Sequence, residues 1–250
     1  MKVLRFKLSG EHAFFKIPEV NAFYYFTYGH IHKVALLGLL GAVLGYGGYN
    51  QQSRGKEEYP EFYDKLKKLK IGIKPNKSNE LQQGYFKKSI QTFVNTVGYA
   101  NTDGNLIVKE QWLENPSWMI YIQLQGEIEE IICDYLMNAR AIYIPYLGKN
   151  DHYANISEVQ VIEGQKASLD IPVILRSLYP KEAFTLHMDE DDFSLFKYEE
   201  GLPFGLTAET NQYIIEMFQF TNGQVTVREE CDSKVPCSVL LCEEEHICFF

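Results

Sequence analysis

Two histidines and a lysine, His30, His32 and Lys33, directly precede an apolar segment with helical spacing. The first backbone N–H groups of a helix lack partners and the helix dipole is positive at that end, so a helix start favours an anion such as phosphate. Lysine and histidine side chains add donors there. The pattern therefore predicts a cradle for a phosphate backbone; the competing interpretation is a tightly packed helix with exposed histidines.

The predicted helix contains Gly38, Gly41 and Gly45, and the turn Tyr46–Asn50 ends it. Glycine costs a helix about 1 kcal/mol relative to alanine, so glycines inside a helix indicate that another group approaches the backbone closely. That group is either a nucleic-acid strand lying against the helix and turn, or a neighbouring element of the protein. The sequence leaves both interpretations open.

Two other stretches carry lysines at positions where they could contact a nucleic acid. Alternating residues predict a long hairpin over about 84–109, with its turn at Asp103 and Gly104. A protruding hairpin with basic and aromatic side chains can wedge between nucleotides, whereas the alternative is a hairpin that completes a sheet. The sequence PYLGKNDHYANI places Lys149 and Asn150 in a turn with backbone donors, which suits an anion.

Nucleotide-hydrolase and metalloenzyme signatures do not occur: there is no Walker loop, Rossmann glycine fingerprint, nucleophile elbow or zinc-protease motif. The cysteines near the end of the sequence have wider gaps than the Cys-x-x-Cys pairs of a zinc site. We predict no metal and no cofactor. His30, His32 and Lys33 also have the types needed for acid and base catalysis of metal-independent RNA cleavage, which stays an alternative.

The order strand, helix, hairpin strands, helix, strand favours an α+β fold of the ferredoxin-like or RNA-recognition (RRM) type, with helices on one side of an antiparallel sheet. We place this unit at 1–154 and a β-rich region at 155–250; the two are either separate or one composite domain. The predicted elements are a strand over 2–10, a helix from 33 to about 45, a short helix over 59–70, a loop over 71–80, the hairpin, a strand over 117–126, a helix over 127–139, a strand over 141–148, and strands over 157–163, 213–220 and 223–230.

The 250-residue chain has a formal net charge of -9, which argues against a free-standing nucleic-acid binder that relies on bulk electrostatics. Lysines concentrate in residues 1–88 and acidic residues later, which permits a local polyanion site. An odd cysteine set and the absence of a signal-peptide pattern predict a reducing, cytoplasmic compartment. The apolar run Val34–Leu44 is about half of the roughly 20 residues a membrane span needs, so no membrane contact is predicted.

The stretches FFKIPEVNAFYYFTYGHIHKVALLGLLGAVLGYGGY and YLGKNDHYANI, with GNLIVKEQWLENPSWMIYI between them, resemble the Cas-five family of CRISPR-associated proteins. This family belongs to the RAMP superfamily, and the resemblance is to its type I-B subgroup. It runs from Met1 to about Ile156 and does not extend clearly into the rest of the chain.

The resemblance implies an RRM-like RAMP domain with a thumb hairpin, in a subunit of a Cascade-type surveillance complex. Such a subunit binds and caps the 5′ handle of the CRISPR RNA (crRNA), contacts the backbone and large subunits, and meets target DNA through the assembled complex. Because type I-B systems are associated with a separate processing nuclease, the resemblance implies no catalytic residues. Its implied RNA contacts are His30, His32, Lys33, Tyr46, Gly47, Gly48, Lys149 and Asn150, with Lys87 and Lys88 on the thumb.

Overall fold

Strands dominate the fold and helices are few, in agreement with the predicted α+β class. The computed structural model of the chain describes residues 1–18, 23–53, 56–76, 81–82, 84–95, 106–187, 194–228 and 233–250. In chain order the described elements are β1 (Lys2–Ser9), β2 (His12–Ala13), β3 (Tyr24–Tyr25), α1 (Lys33–Leu44), α2 (Glu61–Leu66), β4 (Ile71–Pro75), β5 (Leu81–Gln82), β6 (Tyr85–Phe86), β7 (Lys88–Asn95), β8 (Leu106–Glu114), β9 (Ser117–Gln123), α3 (Glu127–Met137), β10 (Asn155–Lys166), β11 (Tyr179–Pro180), a 3-10 turn (Lys181–Ala183), β12 (Phe184–Leu186), β13 (Lys197–Leu206), β14 (Tyr213–Thr221), β15 (Val225–Val227), β16 (Ser238–Cys242) and β17 (Glu245–Phe249).

The main sheet has the strand order β17–β16–β10–β1–β9–β4, and all neighbours run antiparallel. Ile71 in β4 and Phe250 after β17 exchange two backbone hydrogen bonds of 3.2 and 3.1 Å. The two edge strands therefore meet, and the sheet curls round on itself. Gly72 permits this contact because a Cβ at that position would lie 2.6 Å from Cγ2 of Ile247.

One face of the sheet packs against the helices. Alternation along β1 places Leu4, Phe6 and Leu8 on that face, and all three are fully buried. Helix α1 lies against α2, α3 and β13 and is apolar on nearly every side, as expected of a helix inside a protein. Each buried leucine or phenylalanine contributes about 1.5–3 kcal/mol of hydrophobic stabilisation, so this packing fixes the position of α1.

The chain order of the elements around this core is strand, helix, strand, strand, helix, strand: β1, α1, β4, β9, α3 and β10. The predicted boundary between 154 and 155 falls where β10 begins. Because β10, β16 and β17 share the main sheet with β1, β9 and β4, this sheet takes strands from both sides of that boundary.

The hairpin strands predicted on either side of residues 96–105 are present. β7 pairs antiparallel with β8 along its whole length, and β8 pairs on its other edge with the short strands β2 and β3. The predicted turn at Asp103 and Gly104 lies outside the described residues. The base of the hairpin is therefore part of a second sheet and is held by the loop that precedes α1.

Two predicted segments were wrong. Residues 71–75 form strand β4, although their glycine and proline favoured a loop. The strand predicted over 141–148 is not formed, because Ile142 and Tyr143 donate their backbone N–H groups to the last carbonyls of α1 at 2.9 and 3.1 Å. This segment closes the end of the helix and leaves the side chains of Ile142, Tyr143 and Ile144 exposed.

Candidate nucleic-acid interface

His30 lies inside the protein, with no exposed surface. Nε2 of its ring is 2.8 Å from the Gly84 carbonyl, and the indole N–H of Trp118 donates to Nδ1 at 3.2 Å. A carbonyl only accepts and an indole N–H only donates, so the proton is on Nε2 and the ring is neutral. Burial is the main cause that lowers the pKa of His30 to about 4.

His32 is also buried and is the N-cap of α1. Its Nδ1 accepts a hydrogen bond from the backbone N–H of Ala35 at 3.2 Å, which satisfies one of the free donors at the helix start. Burial among aromatic rings lowers the pKa of His32 to about 3. The helix start, where the sequence predicted an external anion, is therefore capped by the His32 side chain.

The Lys33 side chain points into the protein and donates from Nζ to the backbone oxygen of Phe250 at 3.1 Å. Burial lowers the pKa of Lys33 to about 8. The phosphate cradle predicted from His30, His32 and Lys33 is not formed, because all three side chains are buried and bonded internally. The competing expectation of exposed histidines is wrong for the same reason.

The glycines of α1 have different roles. A Cβ at Gly41 would lie 2.5 Å from Cβ of Phe62, so this glycine admits α2 against the helix. A Cβ at Gly38 would have only Cε2 of Phe62 near it, at 3.8 Å, which is ordinary contact. Gly45 ends the helix with a φ of 79°, a left-handed conformation that favours glycine. The close approach indicated by the sequence is therefore a helix contact at Gly41, whereas Gly38 faces an open cleft.

The turn after α1 directs its backbone donors toward the protein. Gly47 donates to a carboxylate oxygen of Glu61 at 2.7 Å, and Gly48 donates to the side-chain oxygen of Gln51 at 3.0 Å. The Gly47 hydrogen bond, followed by the Lys65 ammonium, lowers the pKa of Glu61. The glycines thus do not present free N–H groups to a phosphate.

An aromatic cleft of about 540 Å³ runs along the exposed side of α1. Its floor is the helix itself, at Val34, Ala35, Gly38 and Ala42. Tyr49 and Tyr143 are 45% and 59% exposed and available to a ligand, and they come from segments far apart in the sequence. The aromatic side chains that line the cleft are Phe14, Phe15, His32, Tyr46, Tyr49, Phe62, Tyr143, Tyr146 and Tyr213.

The cleft brings together some of the predicted residues. His32, Tyr46 and Gly48 line it, and so does Gly148 from the second predicted stretch. Sequence reasoning missed Tyr49, Tyr143, Tyr146 and Tyr213. One signal for these four residues was present in the sequence, namely the high number of tyrosines, 17, in the chain. No local pattern shows that the four positions line the same cleft.

The turn at Gly148 connects the cleft to the hairpin. Gly148 has a φ of 84°, and a Cβ there would lie 2.0 Å from the Phe14 carbonyl oxygen. Lys149 donates to Glu110 of β8 at 2.9 Å and lies 4.6 Å from the ring centroid of Phe93 in β7. Its charge is thus paired on the hairpin and does not face the cleft. Asn150 is exposed.

His152 completes this connection through packing. It is buried, its ring centroid lies 4.4 Å from that of Trp112, and neither of its ring nitrogens has a hydrogen-bond partner among the described residues. Burial is the main cause that lowers the pKa of His152. The turn and the hairpin base are therefore joined by an ion pair and by ring packing.

The two predicted thumb lysines lie at the base of the hairpin. Lys87 is exposed. Lys88 is exposed as well, but it donates from Nζ to the Thr27 carbonyl at 3.0 Å, and partial desolvation lowers its pKa. Lys87 is therefore the more available cation for an external ligand, because the Lys88 ammonium is already bonded.

No group of three or more His, Cys, Asp or Glu side chains in the described ranges is arranged to hold a metal ion. Cys231 lies outside those ranges. Among the helices that the structure describes, none is long and apolar enough to cross a membrane.

The architecture defines an α+β protein whose curled antiparallel sheet carries helices on one face and an aromatic cleft beside the first helix. A chain of a CRISPR RNA-guided surveillance complex has a similar fold, with a TM-score of 0.53 at 13% identity, covering 90% of this chain and 91% of that chain. A CRISPR protein from Archaeoglobus fulgidus matches with a TM-score of 0.47 at 11% identity, covering 99% of both chains. No protein-family model matches the sequence, and no curated protein matches it.

Proposed function

We propose that the chain is a non-catalytic subunit of a type I-B CRISPR surveillance complex that binds and caps the 5′ handle of crRNA. The aromatic cleft is the observation that carries this proposal. The fold similarity to a surveillance-complex chain and the sequence resemblance to the Cas-five family support the same setting.

The cleft suits unpaired RNA bases better than it suits a phosphate backbone. Exposed rings such as Tyr49 and Tyr143 offer faces on which bases can stack, and stacking contributes about 1–3 kcal/mol per base. A volume of about 540 Å³ lies within the ordinary size range of ligand pockets. Lys16 is the cation on its lining, so the site supplies stacking with little positive charge. This agrees with a subunit that is loaded into a stable complex and does not need a global positive field.

The strand order β10–β1–β9–β4, with α1 and α3 on the connections, supports a ferredoxin-like unit of the RRM type. The β7–β8 pair supports the thumb. Its outer face exposes Ile90, Val94 and Ile107 at 56%, 53% and 50%, which favours contact with another molecule. In the proposed complex this face meets the guide's start or the adjacent backbone subunit.

The proposed contacts with the backbone and large subunits are supported by exposed apolar side chains beyond the cleft. Ile142 and Ile144 are 57% and 72% exposed. Apolar residues exposed together mark protein interaction sites more often than isolated ones do. Target DNA is proposed to be met only through the assembled complex.

To test this proposal, the chain is mixed in EDTA with repeat-derived RNA that carries or lacks the 5′ handle, and RNA binding is followed on one gel. We expect handle-dependent retention of intact RNA by the wild-type chain. Tyr143→Ala should weaken retention about tenfold, since the loss of one stacking contact is of that size. Tyr153→Ala is the matched control because Tyr153 is 67% exposed but does not line the cleft. Equal weakening by both substitutions, or equal binding of both RNAs, would contradict the proposal.

We propose no catalysis, and this is supported by the burial of His30, His32 and Lys33, which were the candidate acid and base residues for metal-independent RNA cleavage. Specific cleavage of repeat RNA in EDTA at high protein excess would restore the endoribonuclease alternative. The third alternative is a scaffold protein whose thumb contacts protein instead of RNA, and Lys87→Glu tests it. If this variant fails to assemble into the complex but RNA protection is unchanged, the scaffold alternative is favoured.

A further inference from the structure

A second cavity of about 790 Å³ lies away from the aromatic cleft, at the end of the main sheet where β1 and β4 finish and β9 begins. One wall is the outer face of the sheet. Lys7 in β1 and Lys74 in β4 are both register partners of Met119 in β9, so the two lysines flank Met119 in one row. Two strand spacings, about 10 Å in all, separate their backbones, so both side chains line one mouth.

A third cation, Arg176, joins these lysines. It comes from the segment after β10, and its backbone N–H donates to the His246 carbonyl at 2.9 Å, which holds it beside the start of β17. The Arg176 side chain is half-buried and has no hydrogen bond or ion pair with a described residue. A guanidinium without a partner in a cavity is a ready donor for a phosphate, which it can bind through two parallel hydrogen bonds.

The charges of the cavity leave Arg176 uncompensated. Lys7 pairs with Glu158 at 3.3 Å, and Lys74 pairs with Glu245. Each lysine is therefore matched by a carboxylate and Arg176 is not. The cavity is thus suited to a single anionic group, and both lysines line the same cavity.

Another part of the cavity lining is aromatic. Phe196 and Phe220 lie with ring centroids 5.5 Å apart, and both line the cavity. Asn222 fixes this part, because its side chain accepts from the Phe196 N–H and donates to the Ser194 carbonyl, each at 2.9 Å. A cavity lined by both basic and aromatic side chains suits a ligand that carries a phosphate and a planar group.

We propose that this cavity binds a nucleoside 5′-monophosphate unit, with the phosphate on Arg176 and the base against Phe196. The unit is either a free nucleotide or the 5′-phosphorylated end of a single strand. This site does not rest on the proposed function, because it shares no lining residue with the aromatic cleft.

Isothermal titration calorimetry on the full chain tests the site with AMP, adenosine, inorganic phosphate and a trinucleotide with or without a 5′-phosphate. We expect AMP or the 5′-phosphorylated trinucleotide to bind, with the better of the two identifying the source. Adenosine and inorganic phosphate should each bind at least tenfold more weakly than the better of these two ligands. No binding of either phosphorylated ligand, or equal affinity for the better one and for inorganic phosphate, would overturn the proposal.

The variants locate the site. Arg176→Gln should lower the affinity at least tenfold with an unchanged unfolding temperature, and Lys7→Gln should lower it less. Arg140→Gln is the matched control. Arg140 follows α3, pairs with Asp134 of that helix and lies outside the cavity. If Tyr143→Ala abolished AMP binding while Arg176→Gln did not, the nucleotide would occupy the aromatic cleft and the proposal would fail.

Discussion

The start of α1 and the turn that follows its end stand in opposite environments. At the start, His30 and His32 are buried, neutral and bonded to protein groups, and of the two only His32 also touches the cleft. After the end, Tyr46 and Tyr49 border an open cleft. Because a buried polar group left without its partner costs about 1–3 kcal/mol, changes at the helix start should act on stability. Changes in the cleft should act on ligand affinity.

The largest effect that would sharpen this comparison is expected at His30. His30→Ala leaves a cavity and removes the acceptor for the Trp118 indole, so the free energy of unfolding should fall by about 3–4 kcal/mol. Tyr49→Ala should change it by less than about 1 kcal/mol, because that side chain is 45% exposed. Urea unfolding measures both. Similar losses in the two variants would break the comparison.

Acid should destabilise the helix start. His30 and His32 have folded-state pKa values of about 4 and about 3, below the ordinary 6.5, so the unfolded chain takes up protons first as pH falls. Stability therefore decreases from pH 6.5 down to about 4, by up to about 1.4 kcal/mol per pH unit for each histidine. His30→Gln should remove the His30 share of this slope in urea unfolding at stepped pH. An unchanged slope would show that His30 does not contribute to the acid loss.

Two glycines of α1 provide a matched test inside one helix. Gly41→Ala forces the added methyl against Phe62 and should lower the free energy of unfolding by about 1–3 kcal/mol. Gly38→Ala meets no close atom and should raise it by up to about 1 kcal/mol, since alanine is the better helix former. The same methyl projects toward the cleft and should reduce RNA retention on the gel. Stabilisation without any loss of RNA would place the RNA elsewhere.

Local patterns predicted the parts of the fold that local spacing determines. The alternation of β1 and β9 and the apolar run of α1 were recognised, but Gly45, predicted inside the helix with Gly38 and Gly41, is the residue that ends it. Strand β4 was missed because Gly72 and Pro75 are typical of turns. The need for Gly72 comes from Ile247, which is distant in the chain, so no local pattern could show it.

The candidate site was predicted only in part for a similar reason. The types of His30 and Lys33 suggested anion binding, but their roles are decided by Trp118, Gly84 and Phe250, which the fold brings from far along the chain. Spacing reveals neither burial nor a distant partner. The walls of the cleft likewise combine tyrosines from separate segments, which only the tertiary structure unites.

The smallest expected effect compares an available cation with a paired one. Lys87 is exposed, whereas Lys149 is bound to Glu110 and packed on Phe93. If the base of the thumb contacts an RNA phosphate, Lys87→Gln should weaken handle binding a few-fold. It should also reduce the slope of log affinity against log salt by about 0.7, the value for one phosphate contact on a single strand. Lys149→Gln should leave the salt slope unchanged, because its charge is already compensated. Salt titrations of RNA binding for the two variants decide this, and a reduced slope in Lys149→Gln alone would mean that RNA displaces Glu110 from the turn.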